Sequence, residues 1–389
     1  MDKTVFSRID PERLYQTFAE LVCIDAESHH ERAMADVVTA KLRSLGLSVT
    51  EDRANEQIPD KNGVPSPDGA GNLYCLLPGT GPGEPVLFGS HLDTVSPGIG
   101  KQPLLQPDGT IVSKGATVLG ADDAAAMAEV LEALTVIREQ NIPHPDLELV
   151  INTSEESYAE GSKHFDYSCV KSRRAYVFDM SGPVGGVAVA APTLLSFQVC
   201  VKGKSAHAGF QPEAGIHAIK IAAESLSVLP VGWVDDETTV NFGLISGGTG
   251  RNIVPAEVTV GGEIRSMSDE KAHAQLRQIE EQFREVAERY GGSVTMEWEQ
   301  HLKAYRIASN EPVLQRFRAA AKLIGLPVQE QDTFGGSDNN NHVEHGIRGV
   351  VPACGMNKTH TVDEYTTLSE LTRAAKLTLA LMILPEGES

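Results

Sequence analysis

The sequence predicts a mixed α/β protein interrupted by a smaller domain of ferredoxin-like order. Three observations carry that prediction. The chain has 389 residues, more than one ordinary core fills, so two domains are expected. Up to about residue 180, apolar strand-like runs alternate with helical ones, the pattern of a sheet built with crossovers. From about 194 to 302 the order becomes β-α-β-β-α-β, and the alternation then resumes. The expected organisation is one domain made of residues 1–193 and 303–389, with 194–302 inserted into it.

The elements follow in order. Asp10 before Pro11 is a helix start, a capping carboxylate followed by proline at the first helical position. Leu14, Phe18, Leu21 and Val22 supply its apolar stripe. A second helix, from His30 to Leu45, stops at Gly46. LSVTED and NLYCLLPG read as strands separated by a Pro- and Gly-rich loop over 55–71. VLFGSHLDTV (86–95) reads as a central buried strand. Residues 96–119 form a loop with a small hairpin. VLGADDAAAMAEVLEALTVI is strongly helical after its two acids. LELVINTSEES and AYVFDMSG are strands that end in acids.

In the inserted segment, 194–203 reads as a strand and 213–229 as a helix. Residues 238–248 and 252–266 read as two strands joined by a tight glycine turn, 268–292 as a long amphipathic helix, and SVTMEWEQH as the last strand. After it come a helix (EPVLQRFRAAAKLIG), a Gly- and Asn-rich segment (TFGGSDNNNHVEHG), the strand of IRGVVPACG, and a closing helix over 368–384.

Composition narrows the partners. Net charge is −20, which argues against nucleic acid and anionic membrane surfaces. No apolar run approaches a membrane span, and the N-terminus MDKTVFSRIDPER has no apolar core of a secretory signal. The five cysteines are scattered and form no CxxC pair, which fits free thiols in a reducing compartment. The expectation is a cytoplasmic protein.

Polar groups collect at the ends of the strands. His91 and Asp93 are two apart, so on a strand they share a side, at the edge where open α/β sheets bind ligands. Asp122 and Asp123, Glu155 and Glu156, Asp179 and later His360 take similar positions. Imidazoles and carboxylates drawn from separate strand ends suit zinc, cobalt or manganese. Two histidines with several carboxylates suit a pair of ions sharing one bridge. Each piece has an ordinary reading: the Asp pair caps a helix, the Glu pair is solvated, and the segment around His360 lies on the surface. GGTGRN (247–252) lacks the Gly-Lys-Ser/Thr ending of a phosphate loop and reads as a hairpin turn. His29, His30, His342 and His345 read as surface residues.

Taken together, HLDTV, GADD before a helix, TSEE, the VFD strand end, SAHAG, and GGSD followed by HTVDEY resemble the di-zinc metallopeptidases that include peptidase T, aminoacylase and bacterial glutamate carboxypeptidase. The resemblance covers nearly the whole chain and is closest to the peptidase T-like branch. It implies a mixed-sheet catalytic domain with an inserted ferredoxin-like lid or dimerisation domain, two divalent metal ions, and a homodimer formed through the insert.

By the same resemblance, His91 and Asp179 bind one metal, Glu156 and His360 the other, and Asp122 bridges them, with a peptide bond to Asp123 that is often cis in the family. Asp93 orients His91, and Glu155 is the general base toward a metal-bridging hydroxide. His207 helps stabilise an oxyanion, Asn252 and Arg265 contact the substrate carboxylate, and Gly336 and Ser337 line the substrate pocket. An ordinary reading of His207 is a solvated histidine after a strand. The implied function is hydrolysis of amide bonds in short peptides, as an aminopeptidase of tripeptidase type. The alternatives are an N-acyl amino acid deacylase and a non-catalytic metal-binding module. The chain departs from the family pattern at Ala124 and Ala125, where Lys and Gly are common, and at Asn339–Asn341, where Ala-Asn commonly follows GGSD.

Overall fold

Every residue of the strand Val86–His91 is buried, which explains why its sequence shows no polar alternation: a central strand covered on both faces meets the core twice. It pairs in parallel with Leu147–Asn152 on one side and with Arg174–Val177 on the other. In the computed structural model, which describes residues 3–60 and 63–385, the sheet continues outward through antiparallel Leu73–Leu77 and Ser48–Glu51. On the other side it continues through parallel Arg348–Pro352 and antiparallel Gly186–Ala191, which also pairs with Gln329–Asp332. The sheet is thus mixed, and its parallel centre carries the strand ends that hold the acids and His91.

The chain divides into two units. The larger runs to Ala190 and resumes at Arg306–Thr333 and from Ser337 onward, and the smaller is Ala191–Tyr305 with Phe334–Gly336. In the larger unit, helix Ala121–Gln140 packs against helices Pro11–Val22 and Leu368–Ile383. It is buried on nearly all sides, Ala124, Ala125, Ala126 and Ala128 included, because small side chains let the helices approach closely. A three-stranded sheet, Pro103–Leu105, Thr110–Ser113 and Tyr365–Thr367, joins the expected hairpin to a strand just after His360.

The smaller unit is an antiparallel sheet in the order Gly232–Asp235, Thr238–Gly247, Glu257–Ser266, Thr193–Lys202, Ser293–Leu302. Helices Ala218–Leu226 and Asp269–Tyr290 pack on it around Val199, Val201, Ile264 and Phe283. Helix Asp269–Tyr290 is written into its sequence. Ser268 caps it, acids fill the first turn, Gly291 ends it in the left-handed conformation, and Leu276, Ile279, Phe283 and Val286 form the buried stripe.

The structure corrects several expectations. The helix expected from 213 begins at Ala218, capped by the His217 side chain, because Pro212–Ala214 takes a separate 3-10 turn. The short edge strand Gly232–Asp235 adds to the expected order. The strand expected from 252 begins at Glu257, so 248–256 is a loop rather than a tight turn. The Gly- and Asn-rich segment contains a helix, Asp338–Glu344, started by a Ser337 capping box; such a cap contributes about 1 kcal/mol. Its asparagines are buried and bonded: Asn339 Nδ2 donates to the Gly349 carbonyl at 3.0 Å and Asn341 Nδ2 to Ser162 Oγ at 2.8 Å. His342 is fully buried, not on the surface, and lies edge-on to Tyr167.

Candidate metal centre

The ordinary reading of Asp122 and Asp123 as a helix cap does not hold. The N-cap position is Gly120 in the left-handed conformation, and both aspartates lie off helical geometry with a cis bond between them. A side chain at Gly120 would be strained at φ 73°, and its Cβ would fall 2.9 Å from Lys101 Cε. Asp123 Oδ2 accepts from Ser90 Oγ at 2.6 Å and from the His91 N–H at 3.3 Å. Asp123 therefore turns back to the strand end, while Asp122 turns to the histidines.

Two groups of potential ligands share Asp122: His91, Asp122 and Asp179, and Asp122, Glu156 and His360. His91 Nε2 lies 3.1 Å from Asp122 Oδ1 and 3.9 Å from Asp179 Oδ1. His360 Nε2 lies 3.3 Å from Asp122 Oδ2 and 2.9 Å from Glu156 Oε2. The two oxygens of one carboxylate thus face two different imidazoles.

Asp93 sits behind this arrangement. Its Oδ1 lies 3.4 Å from His91 Nδ1 and accepts the Glu155 N–H at 2.9 Å, while Oδ2 accepts the Glu156 N–H at 3.1 Å and the Ser28 hydroxyl at 2.7 Å. The Asp93 carbonyl lies nearer still to His91 Nδ1, at 3.0 Å, so one residue meets the imidazole with backbone and side chain while its carboxylate takes both glutamate N–H groups. Ser154 before that pair is held by Glu31 Oε1, which accepts from its N–H at 3.2 Å and its hydroxyl at 2.9 Å. Sequence reasoning missed Ser28, Glu31 and Glu364. Glu364 lies inside HTVDEY, but its partners are backbone groups some 240 residues away, a pairing that no local pattern encodes.

The charges are arranged as if for a cation. Burial raises the pKa of Asp179, with Asp122 adding to it. Burial likewise raises Glu155, helped by Asp179, and Glu156, helped by Asp122. Burial also raises Asp122, but His360 and His91 outweigh it and hold its carboxyl well below the usual range. Desolvation opposes charge on His91, yet Asp122 and Asp93 push its imidazole upward. Asp122 and Glu156 push His360 up to about 10. Buried Glu156 Oε1 has no hydrogen-bond partner. Clustered carboxylates with an orphaned oxygen, beside two imidazoles, fit a pair of divalent ions.

The other residues singled out from sequence divide between the two units. In the smaller unit, His207 is exposed. Its Nδ1 accepts from the Gly209 and Phe210 N–H groups at 3.1 and 3.2 Å, and its ring stacks on Phe210. The Asn252 carbonyl accepts the Ala208 N–H at 2.9 Å, so His207 and Asn252 share one loop cluster. Arg265 Nε donates to Glu263 at 2.9 Å and Nη1 to the Phe334 carbonyl at 3.0 Å. Gly336 faces Leu302, whose Cδ1 would lie 2.1 Å from an added Cβ. Ser337, in the larger unit, is occupied in capping its helix.

Residues 189–291 match the family model described as a peptidase dimerisation domain, and residues 72–193 that of peptidase family M28. Over 374 residues the chain is 39% identical to the uncharacterised protein YqjE of Bacillus subtilis (strain 168), covering 96% of this chain and 98% of that one. Among solved structures it is similar to aminopeptidase PepT of Bacillus cereus ATCC 10987, with TM-score 0.88, 39% identity, and coverage of 96% and 98% of the two chains. It is also similar to a tripeptidase of Staphylococcus aureus subsp. aureus Mu50, with TM-score 0.91, 35% identity, and coverage of 97% and 98%.

Proposed function

The chain belongs to the peptidase T-like family of metallopeptidases, and from that premise we propose that it hydrolyses amide bonds in short peptides as an aminopeptidase of tripeptidase type. The observation that carries the reading is the sharing of Asp122 between two ligand groups. His91 and Asp179 would hold one divalent ion, Glu156 and His360 the other, and Asp122 both. Zinc suits this donor set, as do cobalt and manganese. Bound there, the ions supply Lewis acidity and a water acidic enough to lose its proton near neutral pH.

The chain's own residues do the remainder. Asp93 holds His91 in place and, through the Glu155 and Glu156 N–H groups, aims the adjacent glutamates. The strand ends at Asn152 and the two glutamates lie in the turn that follows it, each with its N–H on a different oxygen of Asp93, which supports separate roles for the two. Glu156 faces His360, whereas Glu155 is left to take a proton at its carboxylate from the attacking water and pass it to the leaving amine. A buried carboxylate with a raised pKa can both accept and return a proton. His207 would steady the developing oxyanion, with Arg265 and Asn252 on the substrate carboxylate and Gly336 and Ser337 lining the pocket.

The insert would serve as lid and dimer interface. The dimerisation-domain match over 189–291 and the exposed Trp233, Leu244 and Ile245 in that unit support a homodimer, measurable by light scattering. No helix among the described residues is long and apolar enough to cross a membrane, and five free thiols accord with a cytoplasmic setting.

The test is an assay of zinc- or cobalt-loaded protein on a tripeptide panel and an N-acyl amino acid panel. Turnover of tripeptides with a free amino terminus is expected. Preference for acyl amino acids would make the protein a deacylase, and metal binding without turnover of either would make it a non-catalytic module.

A further inference from the structure

Glu364 is buried, with 1% of its surface exposed, and the chemistry above does not use it. Its Oε2 accepts the Gly120 N–H at 2.7 Å and its Oε1 the Asp122 N–H at 3.0 Å. Both oxygens are therefore spent on the backbone that leads into the shared carboxylate. Removing the acceptor would leave buried N–H donors unpaired.

Glu364 also belongs to the loop that carries His360, and that loop is closed on itself. The Glu364 N–H donates to the Thr361 carbonyl at 3.1 Å, Thr361 Oγ1 donates to the Lys358 carbonyl at 2.8 Å, and the Asp363 N–H donates to Thr361 Oγ1 at 3.3 Å. At its base, Asn357 and Tyr365 exchange backbone bonds of 2.9 and 3.0 Å. The loop then meets the Asp122 segment twice, through the His360 imidazole on the side chain and through the Glu364 carboxylate on the backbone.

We infer that Glu364 is a positioning residue of the metal centre: its carboxylate ties the loop carrying His360 to the backbone carrying Asp122, and so sets the bridging carboxylate for both ions at once. This rests on reading Asp122 as the bridge. A residue that merely supported the fold would lower thermal stability and leave metal affinity, measured well below the melting temperature, untouched. A positioning residue moves affinity at both sites, because both depend on Asp122.

The experiment compares wild type, Glu364→Gln and Glu364→Asp as full-length protein. Zinc affinity at each site is measured by chelator competition, the cobalt absorption spectrum is recorded, and thermal unfolding of the metal-free forms is followed. Glu364→Gln keeps one carbonyl acceptor and turns an amide N–H toward the other donor, so it should weaken both ions by about 10- to 100-fold, the range for losing a group that orients ligands, and alter the cobalt bands. Glu364→Asp, which keeps charge and both oxygens, should recover part of the loss. If Glu364→Gln does not fold, Glu364→Asp decides: its shorter reach should still weaken both ions. Wild-type affinity at both sites in a folded variant would overturn the inference, and so would a loss confined to one ion. Wild-type protein that binds no ion would instead overturn the function proposed above.

Discussion

The two halves of the candidate metal centre are built differently. His91 ends a buried central strand, is 1% exposed at its side chain, and has Asp93 at its back. His360 sits on a loop at φ 63°, with 54% of its side chain exposed. One imidazole is held by the sheet and the other by a loop whose Glu364 bonds the backbone at Gly120 and Asp122, yet both imidazoles face the same aspartate. From this unequal exposure, a pair of bound ions is expected to be held with unequal tenacity.

The largest expected effect comes from removing what the halves share. Asp122→Ala should bring metal content from two equivalents toward none and abolish turnover, as elemental analysis and the peptide assay would record. Full metal content in that variant would break the comparison at its root.

A smaller effect should separate the halves. Each of His91→Ala and His360→Ala should lose about one equivalent. His91→Ala should also unfold at lower temperature, since it empties a packed strand end, a change that costs on the order of 2–4 kcal/mol, whereas His360→Ala should melt close to wild type. During dialysis against a chelator, wild type should release the ion of the Glu156 and His360 group first. Equal release rates would mean that burial does not distinguish the sites.

Glu155→Gln belongs to neither half. It should keep both ions and lose turnover by roughly a hundredfold or more, the usual range for a general base. Loss of metal in Glu155→Gln with retention in Glu156→Gln would reverse the roles assigned to the pair.

The smallest effect lies outside the centre and provides a control for pH. Burial lowers His342 to about 3, with His345 adding to it. Its Nδ1 is 3.1 Å from the Tyr167 hydroxyl, and its Nε2 has no partner to hold a proton. The folded pKa lies below that of the unfolded chain, so this contribution to stability is complete above about pH 6.5 and declines as pH falls toward 3. The slope is about 1.4 kcal/mol per pH unit once the unfolded imidazole is charged. Urea unfolding of metal-free wild type and His342→Gln at pH 7 and 5 should show wild type losing more stability. Parallel losses would remove His342 from the account.

Much of this was legible before any coordinates. The parallel strands announced themselves as unbroken apolar runs because both their faces are covered, and helix Asp269–Tyr290 because its cap, its stripe and its glycine stop agree. The donors at strand ends could be read because each sits at the close of such a run. His342 reads as a surface residue and is buried, because a polar side chain looks the same in sequence whether it is solvated or paired in a core.

Element types, the order that makes the smaller unit ferredoxin-like, and the set of imidazoles and carboxylates available for a metal are all written in the sequence. These depend on periodicity, capping and residue chemistry, all encoded within a few neighbours. It takes the folded chain to turn Asp122 toward both His91 and His360, to bring Asp93 to the imidazole and the glutamate pair together, and to close Glu364 on Gly120 and Asp122. Those contacts join residues distant along the chain through single atoms aimed across the sheet's end, and no local rule of propensity fixes a direction in space.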